Sequence, residues 1–259
     1  MKKPARARSE SDLTIIQLLP NLLTITAIGA GLTAIRFGFH GDFELAVLLI
    51  VLAAVLDGLD GRLARLLKSD SKIGAELDSL GDFLNFGVAP ALLVYFWALQ
   101  EMPREGWIAV LIYAVACVLR LARFNVDSRA QSAGDSETGA CGDFVGVPAP
   151  AGAMLAMLPM FVSFSVSEMP VLPGWLIGLN MVFVGFLLIS RIPTPSFKKA
   201  RISRPNAKYF IVGIAFAGAA VLTYPWQTLA LLSLAYVLLV IRNLARSAAG
   251  RRKGGDNGN

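Results

Sequence analysis

Histidine and cysteine are almost absent from this sequence of 259 residues. It holds one histidine, His40, and two cysteines, Cys117 and Cys141. Zinc sites need several such ligands at close spacing, and a disulfide framework needs regularly spaced cysteines. The sequence therefore favours neither zinc binding nor a fold held by disulfides, and His40 is expected to be a solvated loop residue.

Polar sequence is also scarce, because apolar residues make up 55% of the chain, against roughly 45–50% in soluble domains. They fall in blocks of about 16–24 residues, the length that a helix needs to cross roughly 30 Å of hydrocarbon. We therefore predict an all-α fold, a polytopic membrane helix bundle of about eight transmembrane helices. The candidate spans are 19–36, 43–66, 76–99, 107–124, 149–166, 172–190, 208–223 and 227–243.

One membrane domain accounts for most of the chain, with a basic segment at each end. Residues 1–18 form a basic N-terminal segment, in which an interfacial helix and a frayed start of the first span are equally good interpretations. The membrane domain extends over 19–245. Residues 246–259 have the basic and polar composition of a disordered tail.

The distribution of positive charge predicts the orientation of these spans. Of the 24 Lys and Arg residues, only Arg36 and Arg104 fall on one side of the predicted bundle. Basic loops remain in the cytoplasm, so this asymmetry places both termini there. The net charge of +6 thus reports topology and gives no indication of nucleic-acid binding.

Acidic residues occur at helical spacing where two neighbouring spans reach the cytoplasmic side. Asp57 and Asp60 end the second span, and Asp78 and Asp82 begin the third. Side chains three or four residues apart share one helix face. A short connection makes the two helices antiparallel neighbours, so we expect the four carboxylates to converge. Asp70 and Glu76 are better explained as solvated loop charges.

Four unpaired anions close to hydrocarbon would be strongly unfavourable. Divalent ions such as Mg²⁺ or Mn²⁺ prefer oxygen ligands and would offset the repulsion. Two such ions in one cluster are a frequent arrangement for phosphoryl chemistry. Small residues around the acids, such as Gly58, would let a large substrate or a neighbouring helix approach the backbone, and the planar guanidinium of Arg65 suits a phosphate.

The same residues carry a resemblance to a known family. Residues 57–65 read DGLDGRLAR and residues 74–82 read GAELDSLGD, which resembles the D-x-x-D-G-x-x-A-R and G-x-x-x-D-x-x-x-D signature of the CDP-alcohol phosphatidyltransferases. Gly81 stands where alanine is expected. The resemblance implies that CMP is displaced from a CDP-linked lipid and that the enzyme is a homodimer.

The resemblance also implies roles for individual residues. The four aspartates would bind two metal ions, Mg²⁺ or Mn²⁺, and Asp82 would also be the catalytic base that deprotonates the attacking alcohol. CDP-diacylglycerol would be bound at Gly61, Ala64, Arg65 and Gly74.

Further segments, including PNLLT at 20–24 and RLARFNV at 120–126, are similar to bacterial inner-membrane members of the family whose acceptor is L-serine. Serine carries a carboxylate, and Arg120, Arg123 and Asn125 are the candidate residues for binding it. Glycerol 3-phosphate, inositol phosphate and choline stay open as acceptors. A transporter is a more distant alternative, since membrane carboxylates often mark ion paths, but it would place them near mid-bilayer within inverted repeats.

Overall fold

A computed structural model describes residues 15–67, 71–133, 146–166, 172–190, 213, 216 and 218–254. All regular structure within these residues is helical, as predicted. We label the α-helices α1 (Ile15–Phe39), α2 (Phe43–Leu67), α3 (Lys72–Asp82), α4 (Ala89–Val94), α5 (Pro103–Ala133), α6 (Ala149–Ala156), α7 (Leu158–Ser165), α8 (Gly174–Ile189) and α9 (Pro225–Gly254).

Four stretches of these helices are long and apolar enough to cross a membrane: Leu19–Phe39, Ile73–Leu99, Pro103–Ser128 and Pro225–Arg242. Helix α2 matches α1 in length, 25 residues each, but carries several acidic side chains. Helix α8 is apolar but shorter. Among the described residues, an all-helical fold with four candidate membrane spans is thus confirmed, whereas the number of eight spans and the cytoplasmic position of both termini stay predictions. Half of the predicted span 208–223 lies outside the described residues.

Helix α1 lies against both helices that carry the acidic motif. It packs along α2 and also contacts α3 and α4. The chain reverses between α1 and α2 at Gly41, whose φ of 87° favours glycine. Gly31 allows the close approach to the third span, because a Cβ there would overlap the amide oxygen of Asn85. Pro20 lies inside α1 and does not end it.

The third span is one helical rod with two π-helical turns, Phe83–Val88 and Tyr95–Leu99. Pro90 lies four residues after Phe86 and has no N–H to donate to the Phe86 carbonyl. The hydroxyl of Tyr113 on α5 donates to that carbonyl instead, at 2.7 Å. Tyr113 is fully buried. The bond therefore satisfies both its hydroxyl and the Phe86 carbonyl in a region where hydrocarbon offers no hydrogen-bond partner.

The predicted span 149–166 is not one continuous helix. The structure divides it at Met157 into α6 and α7, because Pro159 cannot donate to the carbonyl of Leu155. The amide nitrogen of Asn180 on α8 donates to the carbonyls of Leu155 and Ala156, at 3.1 and 3.4 Å. A side chain from the neighbouring helix therefore satisfies both acceptors at the break.

The buried core connects the third span with α5, α6, α7 and α8, and its largest side chains include Tyr113, Phe86 and Phe161. Large apolar side chains also cover the outside of the bundle, as Phe186 at 66% exposed shows. An apolar exterior of this kind is expected of helices that face lipid.

Candidate active site

The acidic motif converges as predicted. One carboxylate oxygen from each of Asp57, Asp60 and Asp78 lies within 4.8 Å of the other two. The carboxyl group of the fourth residue, Asp82, lies within hydrogen-bonding reach of that of Asp57. Helix α2 supplies one pair and α3 the other, because spacings of three and four residues put each pair on one helix face.

The donor set fits a divalent metal centre. Two unit charges 4.8 Å apart repel each other by about 3 kcal/mol at an effective dielectric constant of about 20. Asp60 is only 3% exposed, and among the described residues its Oδ1 and that of Asp82 have no hydrogen-bond partner. Buried carboxylates with free oxygens are suited to hard cations. The CDP-alcohol phosphatidyltransferases, which the motif resembles, are metal-dependent in general, and these residues match that requirement.

Thr24 belongs to the site, although the sequence analysis gave it no role. Its hydroxyl donates to Oδ2 of Asp60 at 2.6 Å and lies within 3.1 Å of the Pro20 carbonyl oxygen. This bond leaves Oδ1 of Asp60 available for another ligand. The PNLLT segment pointed to α1, but only the packing of α1 on α2 shows which of its side chains meets the cluster.

The motif glycines serve two different purposes. Among the described residues, a Cβ on Gly58 or Gly61 would meet no atom within 4 Å, so this part of the structure leaves that face of α2 open to a substrate. A Cβ on Gly74 would lie 2.8 Å from Oδ1 of Asn21, and one on Gly81 would lie 3.3 Å from Ile28. Gly74 and Gly81 therefore allow close packing on α1, and Gly81 in place of alanine has a steric reason.

Arg65 lies on the open side of α2. Its Nε donates to the carbonyl of Gly61 at 2.9 Å, and the side chain is exposed. Ala64 is half-buried beside it. The guanidinium therefore rests on its own helix, next to the open backbone of Gly58 and Gly61.

The structure separates the three candidates for serine binding. Arg120 is half-buried, and its charge interacts with that of Asp82. The amide nitrogen of Asn125 donates to the hydroxyl oxygen of Ser79, the neighbour of Asp78, at 3.0 Å. Arg123 instead donates to the carbonyl of Ile189 at 3.2 Å, so it stabilises the C-terminal end of α8. Arg120 and Asn125 are thus next to α3, and Arg123 is directed to α8.

Fold and site together define a class: a helical membrane protein whose two adjoining helices present a carboxylate centre for divalent cations. Comparison with known sequences gives the family. The pattern that defines the CDP-alcohol phosphatidyltransferases matches residues 17–189, and the chain belongs to this family of transferases.

Several characterised relatives cover most of the chain. The CDP-diacylglycerol–serine O-phosphatidyltransferase of Mycobacterium leprae is 40% identical over 90% of this chain and 76% of its own length. The protein of the same name from Helicobacter pylori is 35% identical over 78% of this chain and 80% of its own. Archaetidylserine synthase of Methanothermobacter thermautotrophicus is 32% identical over 72% and 73%. The resemblance seen in the motif is thereby confirmed. Membership in a family of transferases excludes the alternative that the protein is a transporter.

Proposed function

We propose that this protein transfers the phosphatidyl group of CDP-diacylglycerol to the hydroxyl of L-serine, which gives phosphatidylserine and CMP. The observation that carries this proposal is the convergence of the motif aspartates of α2 and α3 within 4.8 Å. The names of the relatives from Mycobacterium, Helicobacter and Methanothermobacter all point to serine as the acceptor.

Asp57, Asp60, Asp78 and Asp82 would hold two divalent ions, Mg²⁺ or Mn²⁺. Ions bound there would neutralise the diphosphate of the donor and so favour departure of CMP. The chain orients these ligands by the Thr24–Asp60 hydrogen bond and by the packing of α1 on both acidic helices.

Asp82 is the proposed base. Its carboxylate takes the proton of the serine hydroxyl, and that oxygen forms a bond to the lipid-side phosphorus as the bond from phosphorus to the CMP oxygen breaks. Oδ1 of Asp82 has no hydrogen-bond partner among the described residues, so an acceptor for the proton is free. Neither motif presents a nucleophile beside a base, so we propose direct displacement without a covalent enzyme intermediate.

The donor lipid would lie along the open face of α2. The CDP head would contact Gly61, Ala64 and Arg65, and its acyl chains would remain in the bilayer. Arg65 would release the Gly61 carbonyl and bind the diphosphate, because guanidinium groups form strong paired hydrogen bonds with phosphate. Gly74 contributes because its lack of a side chain lets α3 pack closely against Asn21 of α1.

The cellular setting is also part of the proposal. We place the protein in the bacterial cytoplasmic membrane as a homodimer with about eight spans. Both termini and the aspartate cluster would face the cytoplasm, where serine enters.

An acceptor panel tests the proposed reaction. Purified protein is given CDP-diacylglycerol, Mg²⁺ or Mn²⁺, and either L-serine, glycerol 3-phosphate, inositol phosphate or choline, and the lipid product is identified by mass spectrometry. We expect phosphatidylserine only, with CMP released in equal amount. A lipid product from another acceptor alone would show that a sibling reaction is the true one.

Asp82→Asn tests the base. We expect the variant to insert in the membrane and to lose turnover, because the amide accepts no proton; general acid–base catalysis contributes about 10²–10⁴-fold. Asp42→Asn in the exposed turn before α2 is the control and should retain full activity. Normal turnover in Asp82→Asn would remove Asp82 as the base, and exchange of labelled CMP into the lipid without serine would argue for a covalent step.

A further inference from the structure

The last helix brings two hydroxyl groups into the bundle without local partners. Ser233 and Tyr236 lie three residues apart on one face of α9. Ser233 is 3% exposed. Within the part of the chain that the structure describes, neither its Oγ nor the buried hydroxyl oxygen of Tyr236 has a hydrogen-bond partner.

This arrangement differs from that of several other helical hydroxyls among the described residues. Ser and Thr side chains in helices commonly bond to the carbonyl four residues earlier, and Ser233 does not do so although it is deeply buried. Those that do make this bond include Thr26, Thr33, Ser79, Ser165, Thr223 and Thr228. A buried hydroxyl that is not satisfied by its own helix is available to a ligand.

Arg120 on α5 is within electrostatic reach of both Tyr236 and Asp82. Its Nε is buried and, among the described residues, has no hydrogen-bond partner. Of these unsatisfied donors, the Arg120 guanidinium on α5 is within electrostatic reach of the proposed base, and the Tyr236 hydroxyl on α9 is within reach of Arg120.

We propose that Arg120, Tyr236 and Ser233 form the acceptor pocket and that the Arg120 guanidinium and the Tyr236 hydroxyl bind the carboxylate of the amino-acid acceptor. The inference rests on the proposed function and names the residues of α9 that would give the enzyme its preference for an acceptor with a carboxylate. Ser233 supplies a further hydroxyl one helical turn away.

The position relative to Asp82 favours the acceptor over the donor lipid. Asp82 must contact the acceptor hydroxyl to remove its proton. In serine, the hydroxyl-bearing carbon and the carboxyl carbon are bonded to the same Cα, so a cation beside the base meets the carboxylate. The donor has its own open surface at Gly58 and Gly61 of α2, with Arg65 as its cation.

Tyr236→Phe and Ser233→Ala test the pocket, with Tyr224→Phe as the matched control because Tyr224 is 63% exposed. We expect Tyr236→Phe to raise the KM for serine by about tenfold or more, the effect of losing one hydrogen bond to a charged group. The KM for CDP-diacylglycerol should stay unchanged, and Ser233→Ala should show a smaller shift in the same direction. A raised KM for the lipid with an unchanged KM for serine would overturn the proposal.

Serinol, in which a hydroxymethyl group replaces the carboxylate of serine, separates binding from folding. The wild-type enzyme should bind serine far more tightly than serinol in a competition assay, and Tyr236→Phe should narrow that difference. Equal binding of both compounds by the wild type would overturn the proposal even if every variant failed to fold. If the acceptor panel selects a compound other than serine, the proposed function fails; if it selects serine and Tyr236→Phe leaves the KM unchanged, only the pocket assignment fails.

Discussion

Thr24 links the first helix to the acidic cluster through a single hydrogen bond to Asp60, at 2.6 Å. Partners of metal ligands fix the orientation of those ligands and tune metal affinity. Such a bond is more consequential here than at a surface, because Asp60 is almost completely buried.

Thr24→Val keeps the shape of the side chain and removes this donor. We expect the divalent-ion concentration for half-maximal activity to rise by about 10-fold, measured by titrating Mg²⁺ or Mn²⁺ into the assay. Thr26→Val is the control, because the exposed Thr26 hydroxyl bonds only to the carbonyl of Leu22. Equal metal requirements in the two variants would show that the Asp60 bond does not orient a ligand.

The proposed contact of Arg65 with the diphosphate of the donor lipid can also be tested by a single substitution. Because it rests on Gly61 beside the open face of α2, Arg65→Gln should raise the KM for CDP-diacylglycerol by about 10-fold, as expected for a lost charge-assisted bond to phosphate. The KM for serine should not change. Arg62→Gln, an exposed arginine on the same helix, should leave both constants near wild type. A parallel loss in both variants would indicate a general charge effect at this surface.

At the scale of elements, two prolines leave helix carbonyl groups without their backbone donors, and side chains from other helices bond to those carbonyls. Pro90 lies two residues after the π-helical turn Phe83–Val88, and the Tyr113 hydroxyl bonds to the carbonyl of Phe86. Pro159 coincides with the break between α6 and α7 and with the Asn180 bonds. The hydrogen bonds from Tyr113 and Asn180 both satisfy carbonyl groups inside apolar segments, where water is not available.

A double-mutant cycle measures how much the Asn180 hydrogen bonds at the α6–α7 break contribute to stability. Asn180→Leu leaves the Leu155 and Ala156 carbonyls without their donor and should lower stability by about 1 kcal/mol, seen as a lower Tm in detergent. Pro159→Ala restores a backbone N–H at the break. In that background Asn180→Leu should cost less. An equal loss with and without Pro159→Ala would mean that Asn180 stabilises the helix pair by some other contact.

At the scale of the whole molecule, features that depend on spacing within one helix could be predicted from the sequence, whereas contacts between distant residues could not. The carboxylate cluster followed from the i, i+3 and i, i+4 spacing of the aspartates, a property of single helices. The Thr24–Asp60 bond joins residues 36 apart and depends on which faces of α1 and α2 meet, so the sequence pattern did not predict it. The placement of Arg123 at the end of α8 has the same cause.

The break at Met157 was missed for a different reason. Residues 149–166 are apolar throughout, and length and hydropathy alone cannot distinguish one span from two short helices. Pro159 was visible in the sequence, but a proline in a membrane helix is tolerated when neighbours satisfy the freed carbonyl. The decisive partner, Asn180, lies on another helix.

The distribution of charge predicts the orientation of the molecule in the membrane, and labelling can test this prediction. The turn with His40 and the C-terminal end of α2 at Leu66 lie at opposite ends of α2, and both side chains are exposed. The positive-inside distribution puts His40 outside and Leu66 in the cytoplasm. In a Cys141→Ser background, where the remaining Cys117 is buried, His40→Cys should react in intact cells with a membrane-impermeant maleimide. Leu66→Cys should react only after the cells are opened. The reverse pattern would place the aspartate cluster on the outer face, where cytoplasmic serine could not reach it, and the proposed reaction would then need a different source of acceptor.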